Sequence, residues 1–343
     1  MQTSTFGVEP AADRRALSAV AYGFIASKAL FAALEIDLFS RLADGARTAG
    51  ELAAGTGVAE HRLRTLLRAL AAVGLVVGAD GGYANAPASA RYLVRGGGPE
   101  LGEYFRLQVG RLIYPALVQL DAGLSGAGGA FDTLAGLLAD PDQARMFTTA
   151  QHAGSLAAAR VLAGRLDLRA AHRLLDVGGG SGAFAIALCA ANPSLRATVL
   201  DLPAVLTVAA EHCAATDLTD RITLLPGDAT RNEWPAGQDV VLMSYLLSAL
   251  DDEQIDLVLA RAAASLNPGG RLVVHDFVLD DDGVGPRFTA LWFLQYLAYH
   301  PGGVSFSAAE LAGRLRARGF VDPSTEVLIP EITKVITARK AVS

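Results

Sequence analysis

The stretch Leu174-Leu175-Asp176-Val177-Gly178-Gly179-Gly180-Ser181-Gly182 constrains this chain more than any other. Apolar residues run up to an acid, and glycines then fill most places. Ala183-Phe184-Ala185-Ile186-Ala187-Leu188-Cys189-Ala190 follows with helix-favouring composition. That order predicts a buried strand, a tight turn and the first turns of a helix. Glycines in such a turn take positive φ and let a ligand reach the backbone without meeting a Cβ. Phosphate loops and dinucleotide folds share the pattern, so two further features decide. No Gly-Lys-Ser/Thr follows, which excludes the phosphate loop. A second apolar strand, Ala197-Thr198-Val199-Leu200, ends at Asp201, about 20 residues on, where folds of this kind place a ribose-binding acid.

The chain has 343 residues, enough for two domains and a large core. With 52% hydrophobic and 19% charged residues it is globular rather than disordered. A net charge of −6 argues against nucleic-acid binding through bulk positive charge. Cys189 and Cys213 are the two cysteines, and without a CxxC pair neither a disulfide nor a zinc–cysteine site is expected. The N-terminal residues lack a basic region followed by an apolar run, and no apolar run of spanning length is read from the sequence. The expectation is a soluble cytoplasmic protein without membrane or nucleic-acid partners.

Residues 1–98 read as a winged helix. Leu17, Val20, Ala21, Phe24 and Ile25 recur at helical spacing, and Leu30, Phe31, Leu34 and Leu38 continue it. Thr48-Ala49-Gly50-Glu51 is a capping-box pattern opening a short helix. A further helix carries Leu63, Leu66, Leu67, Leu70 and Val73, and a hairpin turns at Asp80-Gly81-Gly82. The third helix bears His61, Arg62, Arg64 and Arg68, which allows a DNA-reading role. The acidic balance favours a dimerisation or lid module instead. Residues 99–165 read as a mostly helical linker and substrate lid. Arg106, Arg111, Tyr114, Gln143, Arg145, Met146, Phe147, Gln151 and His152 could line a pocket there, although helix packing accounts for them equally well.

Across 166–343 strands alternate with helices, predicting an α/β Rossmann-like domain with a parallel sheet covered on both faces. Strands are expected at 173–177, 197–200, 222–225, 239–244 and 271–277, with a late edge hairpin at 325–330 and 332–338. Helices are expected near 182–191, 203–215, 252–266 and 307–318. Ligands bind beyond the carboxyl ends of such strands. Those ends carry Asp176, Asp201-Leu202-Pro203, Gly227-Asp228-Ala229, Ser244-Tyr245 and His275-Asp276-Phe277. Acids at three successive strand ends around a glycine loop are hard to explain as helix caps alone.

The segments LLDVGGGSGAFAIAL, LRATVLDLPAV, DRITLLPGDAT, DVVLMSYLLSALDDE and LNPGGRLVVHDF together resemble the S-adenosylmethionine (SAM)-dependent O-methyltransferases of secondary metabolism. That family holds plant caffeic-acid and acetylserotonin enzymes and bacterial polyketide-tailoring enzymes. The resemblance implies a class I methyltransferase domain behind an N-terminal winged-helix dimerisation domain, a homodimer, SAM as cofactor and a small-molecule acceptor. It makes Asp176 a cofactor-binding residue and sets the loop glycines Gly178, Gly180 and Gly182 against the methionine portion. It gives both ribose hydroxyls to Asp201, whose two oxygens can accept at once. Leu202 would pack on the adenine, Asp228 would hold its amino group with Ala229 beside it, and Ser244 would supply a polar contact.

One departure matters. Members carry a His-Asp-Trp triplet after the fourth strand, whose histidine deprotonates the acceptor, and this chain has Ser248-Ala249-Leu250 there. A serine without its own activator is no general base near neutral pH. Either the reaction proceeds by positioning alone or the base lies elsewhere. His300, in Leu297-Ala298-Tyr299-His300-Pro301-Gly302-Gly303, is the alternative, unless it is simply a histidine at a helix C-terminus. Trp292, Phe293, Gln295 and Tyr296 before it would form an aromatic wall. The segment His275-Asp276-Phe277 to Trp292 also resembles bacterial C-methyltransferases of 2-oxo acids, which hold a metal through histidines at the places of Ser248 and His300. Ser248 removes half of that site, so no metal is expected. Three functions follow. The first is methyl transfer from SAM to a natural-product intermediate, at a hydroxyl or alternatively at carbon of a 2-oxo acid. The second is a SAM-binding enzyme that moves no methyl, and the third is a winged-helix regulator.

Overall fold

The computed structural model describes residues 10–96, 101–126, 134–299 and 302–342. The chain divides into two compact units, Met1–Leu112 and Ile113–Ser343.

In the first unit, α1 (Arg14–Glu35) starts where the Asp13 carboxylate accepts from the Ala16 amide. Helix α2 (Ala49–Thr56) has the reciprocal Thr48–Glu51 capping box that its sequence predicts, and Gly57 ends it in the left-handed region. Helix α3 (Glu60–Ala72) buries Leu63, Leu67 and Leu70, which recur on one face, into a core with Leu38, Phe39 and Leu52. Strands β1 (Val76–Ala79) and β2 (Gly82–Asn85) close the hairpin through Asp80 and Gly81, both at positive φ, as a tight two-residue turn requires. Three helices and a hairpin in this order make the winged helix. Helix α1 buries Phe31, Ala33 and Leu34, while its N-terminal apolar positions are uncovered within the single chain: Leu17, Val20, Phe24 and Ile25 are 62%, 74%, 55% and 53% exposed. One expectation is corrected here. At 22 residues α1 is long and apolar enough to cross a membrane by length and composition. Ser18, Gly23, Ser27 and Lys28 interrupt any continuous apolar run here, yet the mean hydropathy of the whole stretch remains high.

The second unit is built on a seven-stranded sheet of order β5-β4-β3-β6-β7-β9-β8. Its strands are β3 (Arg173–Val177), β4 (Arg196–Asp201), β5 (Ile222–Pro226), β6 (Gln238–Ser244), β7 (Leu266–Asp276), β8 (Phe320–Ile329) and β9 (Thr333–Lys340). The helices that frame it here are α4 (Pro141–Arg165), α5 (Ala183–Ala191), α6 (Pro203–Ala214), α7 (Asp252–Ser265) and α8 (Ala308–Ala317). Strands β3 to β7 are parallel, and β9 runs antiparallel between β7 and β8. The late hairpin therefore contributes one inner strand and one edge. Strand β7 starts five residues earlier than its apolar run, because a register shift between Gln238 and Val240 absorbs Pro268-Gly269-Gly270.

Alternation along β3 divides the core. Leu175 and Val177 pack with Val241, Met243, Val258 and Leu259 on one face. Leu174 packs with Phe184, Leu188, Leu162 and Val240 on the other. Cys189 and Cys213 are buried and unbridged. Because β3 pairs with β4 on one side and β6 on the other, the strand order reverses at its carboxyl end. That reversal opens the crevice in which such sheets bind ligands.

Candidate active site

Backbone bonds tie the strand ends together. The Gly178 amide donates to the Leu200 carbonyl at 2.8 Å, Gly227 to Asp201 at 2.9 Å, and Tyr245 to His275 at 2.8 Å. Beyond these ends lies a cavity of about 290 Å³. Gly178, Gly180, Asp201, Leu202, Asp228, Ala229 and Ser244 all line it. Gly182 instead sits in the left-handed region as the N-cap of α5. Helix α4 adds Phe147, Thr148, Gln151 and Ser155 to the wall.

The glycines divide by task. Gly178 and Gly180 have φ of 65° and 58°, the left-handed region open to glycine at little cost. A Cβ on Gly180 would meet nothing within 4 Å, so the chain leaves open space there. Gly179, which the spacing argument passes over, is the most crowded. A Cβ on it would lie 2.8 Å from both the Asp176 Cγ and the Val199 Cγ1.

Asp176 is fully buried under this loop and does not line the cavity. Among the described residues neither of its oxygens has a donor at hydrogen-bond distance. Burial first, and the charge of Asp201 second, push its carboxyl up to about 7, while the more distant Ala185 amide pulls the other way.

Asp201 is partly exposed and reaches back into the loop. Its Oδ2 accepts from the Gly180 amide at 2.7 Å and its Oδ1 from the Leu202 amide at 2.7 Å. Burial raises it to about 6 against the pull of these two amides. Asp228 accepts through Oδ1 from both the amide and the hydroxyl of Thr230, each at 2.7 Å. Its other oxygen lies 3.5 Å from the Arg231 guanidinium. The Ala229 carbonyl accepts from the Trp234 indole at 3.1 Å and from Arg261, which pins the turn.

The far end of the cavity is formed by the turn after β6. Tyr245 holds a φ of 56°, a strained conformation for a bulky side chain that costs roughly 1–3 kcal/mol. Its ring packs on His275 at 4.5 Å and Phe277 at 5.2 Å. Ser244 bonds through Oγ to His275 Nδ1 at 2.8 Å, and His275 Nε2 reaches Thr333 at 2.9 Å. Burial lowers that imidazole to about 3, so it stays neutral.

Ser248 is fully buried and sits behind the wall that Ala249 and Leu250 line. Its amide donates to Asp276 at 3.2 Å and its hydroxyl meets the Tyr296 hydroxyl at 3.0 Å. Burial lifts Asp276 to about 6 and takes Tyr296 above the usual phenol range. His300 lies outside the described residues. Among the described residues no cluster of three histidine, cysteine or carboxylate groups could hold a metal.

The other polar residues of 99–165 part company. Arg106 and Arg111 are taken up by Glu35 and Glu103 in the first unit. Arg145 pairs with Glu211. Phe147 and Gln151 reach the cavity, and His152 bonds to Ser181 of the glycine loop. Only the folded path of α4 distinguishes the roles of its Arg145, Phe147, Gln151 and His152.

Comparison with known proteins agrees with this geometry. Residues 125–321 match the O-methyltransferase domain and residues 18–95 the O-methyltransferase dimerisation domain. The chain belongs to the O-methyltransferase family. It is 33% identical over 312 residues to 3-hydroxy-5-methyl-1-naphthoate 3-O-methyltransferase of Streptomyces sahachiroi, covering 88% of each chain. It is 33% identical over 311 residues to the tetracenomycin polyketide synthesis 8-O-methyl transferase TcmO of Streptomyces glaucescens, covering 88% of this chain and 90% of that one. Among solved structures, human N-acetylserotonin methyltransferase in complex with SAM superposes with a TM-score of 0.86 at 25% identity, covering 97% of this chain and 100% of that one.

Proposed function

We propose that this chain transfers the methyl group of SAM to a hydroxyl of a small natural-product intermediate, as a cytoplasmic homodimer. One observation carries the reading: a glycine loop and the carboxylates of Asp201 and Asp228 converge on one cavity. The donor and acceptor chemistry fits the cofactor. Asp201 offers carboxylate oxygens to a ribose diol, the Asp228 oxygen that faces Arg231 keeps a lone pair for an adenine amino group, and Gly180 leaves room beside the loop. Gly178 and Gly182 shape that loop, Asp176 supports it from below, Leu202 and Ala229 flank the base, and Ser244 closes the end near Tyr245. Bound there, SAM supplies an electrophilic methyl on a sulfonium.

The protein's own task is positioning and proton removal. Ser248 is committed to Tyr296 and Asp276, so it holds the turn after β6 in place. Neither it nor a phenol raised above its usual range gives up or takes a proton near neutrality. We assign the base role to His300; in chain order, a dimerisation module over 1–98 is followed by the helical linker and substrate lid over 99–165 and the cofactor domain over 166–343. No metal enters this scheme.

Calorimetry with SAM and S-adenosylhomocysteine, followed by transfer of labelled methyl to a panel of hydroxylated aromatic acids, tests the reading. No heat at millimolar cofactor, or label that never leaves the cofactor, would reject it. Within that assay His300→Ala should lower kcat about 10²-fold and flatten the acid limb of the pH–rate profile. Ser248→Ala should stay within about tenfold of the parent, because it removes only supporting side-chain hydrogen bonds, to Tyr296 and to Asp276. The reverse order would move the catalytic role to Ser248.

The homodimer rests on the dimerisation-domain match and the exposed apolar face of α1. Val20→Glu, in the middle of that face, should convert the dimer to a monomer by light scattering while leaving the cofactor heat unchanged. A parent that is monomeric at micromolar concentration would end the assignment.

A further inference from the structure

We infer that His152 is a positioning residue for the amino-acid end of the cofactor, acting through the Ser181 hydroxyl in the glycine loop. The inference rests on the cofactor reading above and adds a residue to it.

Ser181 lies between the two left-handed glycines Gly180 and Gly182, lines the cavity and is only 4% exposed. A serine hydroxyl is a free rotor unless something fixes its proton. Here His152 Nδ1 sits 2.8 Å from Ser181 Oγ. The His152 ring is itself held. It stacks on the His212 ring of α6 with centroids 3.6 Å apart and planes 6° from parallel. Two turns earlier on α4, Arg145 bonds Glu211, the neighbour of His212, through both of its terminal nitrogens at 3.0 and 2.6 Å. Helix α4 thereby meets α6 at two places, and the stack on His212 fixes the plane of the imidazole beside the loop.

Burial first, and His212 second, lower His152 to about 4, so the ring is neutral at physiological pH. A neutral imidazole offers one donor and one acceptor nitrogen. Whichever role Nδ1 takes toward Ser181, the hydroxyl is left with the complementary role toward the cavity. His152 therefore sets whether the loop presents a proton or a lone pair where the cofactor's ammonium and carboxylate come to rest. Nothing in the spacing of α4 marks this histidine, since its partner is 29 residues away in sequence.

The test compares binding of S-adenosylhomocysteine with binding of adenosine, which lacks the amino-acid end. His152→Phe keeps a ring to stack on His212 and removes the hydrogen bond. His152→Asn keeps a polar atom near the Nδ1 position and removes the stack. For His152→Phe the calorimetric Kd for S-adenosylhomocysteine should rise about fivefold to tenfold, the worth of one hydrogen bond, with adenosine unchanged. His152→Asn should recover most of that loss. Ser181→Ala should match His152→Phe, and the double variant should be no worse than either single one. Should His152→Phe not fold, Ser181→Ala and His152→Asn decide, with loss in the first and near-parent affinity in the second as the expected pair. Equal weakening of both ligands, additive losses in the double variant, or parent-like binding by Ser181→Ala would overturn the assignment. A parent that binds neither ligand would remove the cofactor reading itself.

Discussion

Asp201→Ala should weaken S-adenosylhomocysteine binding by at least about 100-fold, the largest single loss in this site. The carboxylate takes two backbone amides at 2.7 Å each, from Gly180 and Leu202, and thereby joins the glycine loop to the end of β4. Hydrogen bonds to a charged group contribute about 1.5–3 kcal/mol each, and 1.4 kcal/mol is tenfold in affinity. Truncation would remove the acceptor for a ribose and loosen the loop together. The pH dependence has a definite sign. Folded Asp201 titrates at about 6, above the ordinary carboxylate, so its ionised form is costly above pH 6 and that cost fades as pH falls. Binding needs the ionised form, so affinity should decline as pH drops through 6. Asp201→Ala should show no such decline. Binding by Asp201→Ala within threefold of the parent, measured by calorimetry at pH 7.5, would remove this residue from the cofactor site.

Gly179→Ala should be the most damaging conservative change in the loop. The added methyl would sit 2.8 Å from the Asp176 carboxyl carbon and from a Val199 methyl, both fully buried. Neither neighbour is a flexible tip that can swing aside, so β3 and β4 must part. Overpacking of this kind costs roughly 1–3 kcal/mol. At about 2–4 °C per kcal/mol for a domain of this size, Tm should fall by roughly 3–10 °C. Gly180→Ala is the internal control. Its methyl meets open space, leaving only the left-handed backbone cost of about 1 kcal/mol. A scanning-calorimetry series in which Gly180→Ala loses more than Gly179→Ala would show that the loop packs differently.

Much of the sheet was legible before any coordinates. Strand β3 and helices α5, α6 and α7 lie within a residue or so of where the apolar runs, glycines and prolines place them. These elements answer to local rules: an apolar run between turn residues, a proline at the first helical position, a cap at Asp251. The exposure of the α1 stripe was not legible. Helical spacing gathers Leu17, Val20, Phe24 and Ile25 on one face, but whether a face is covered depends on distant segments.

By itself the sequence determined that a glycine loop would follow a central strand and that acids would stand at the ends of its neighbours. Short-range backbone preference and strand period are enough for that. Tertiary structure alone decided how each acid is used. Asp176 and Asp201 sit in the same kind of place, yet one is sealed with no donor at hydrogen-bond distance among the described residues and the other bridges two amides. It also decided that Ser248 turns toward Tyr296 and that His152 meets Ser181. Those contacts join residues tens of positions apart, and only the packing of whole helices against the sheet sets which of them meet.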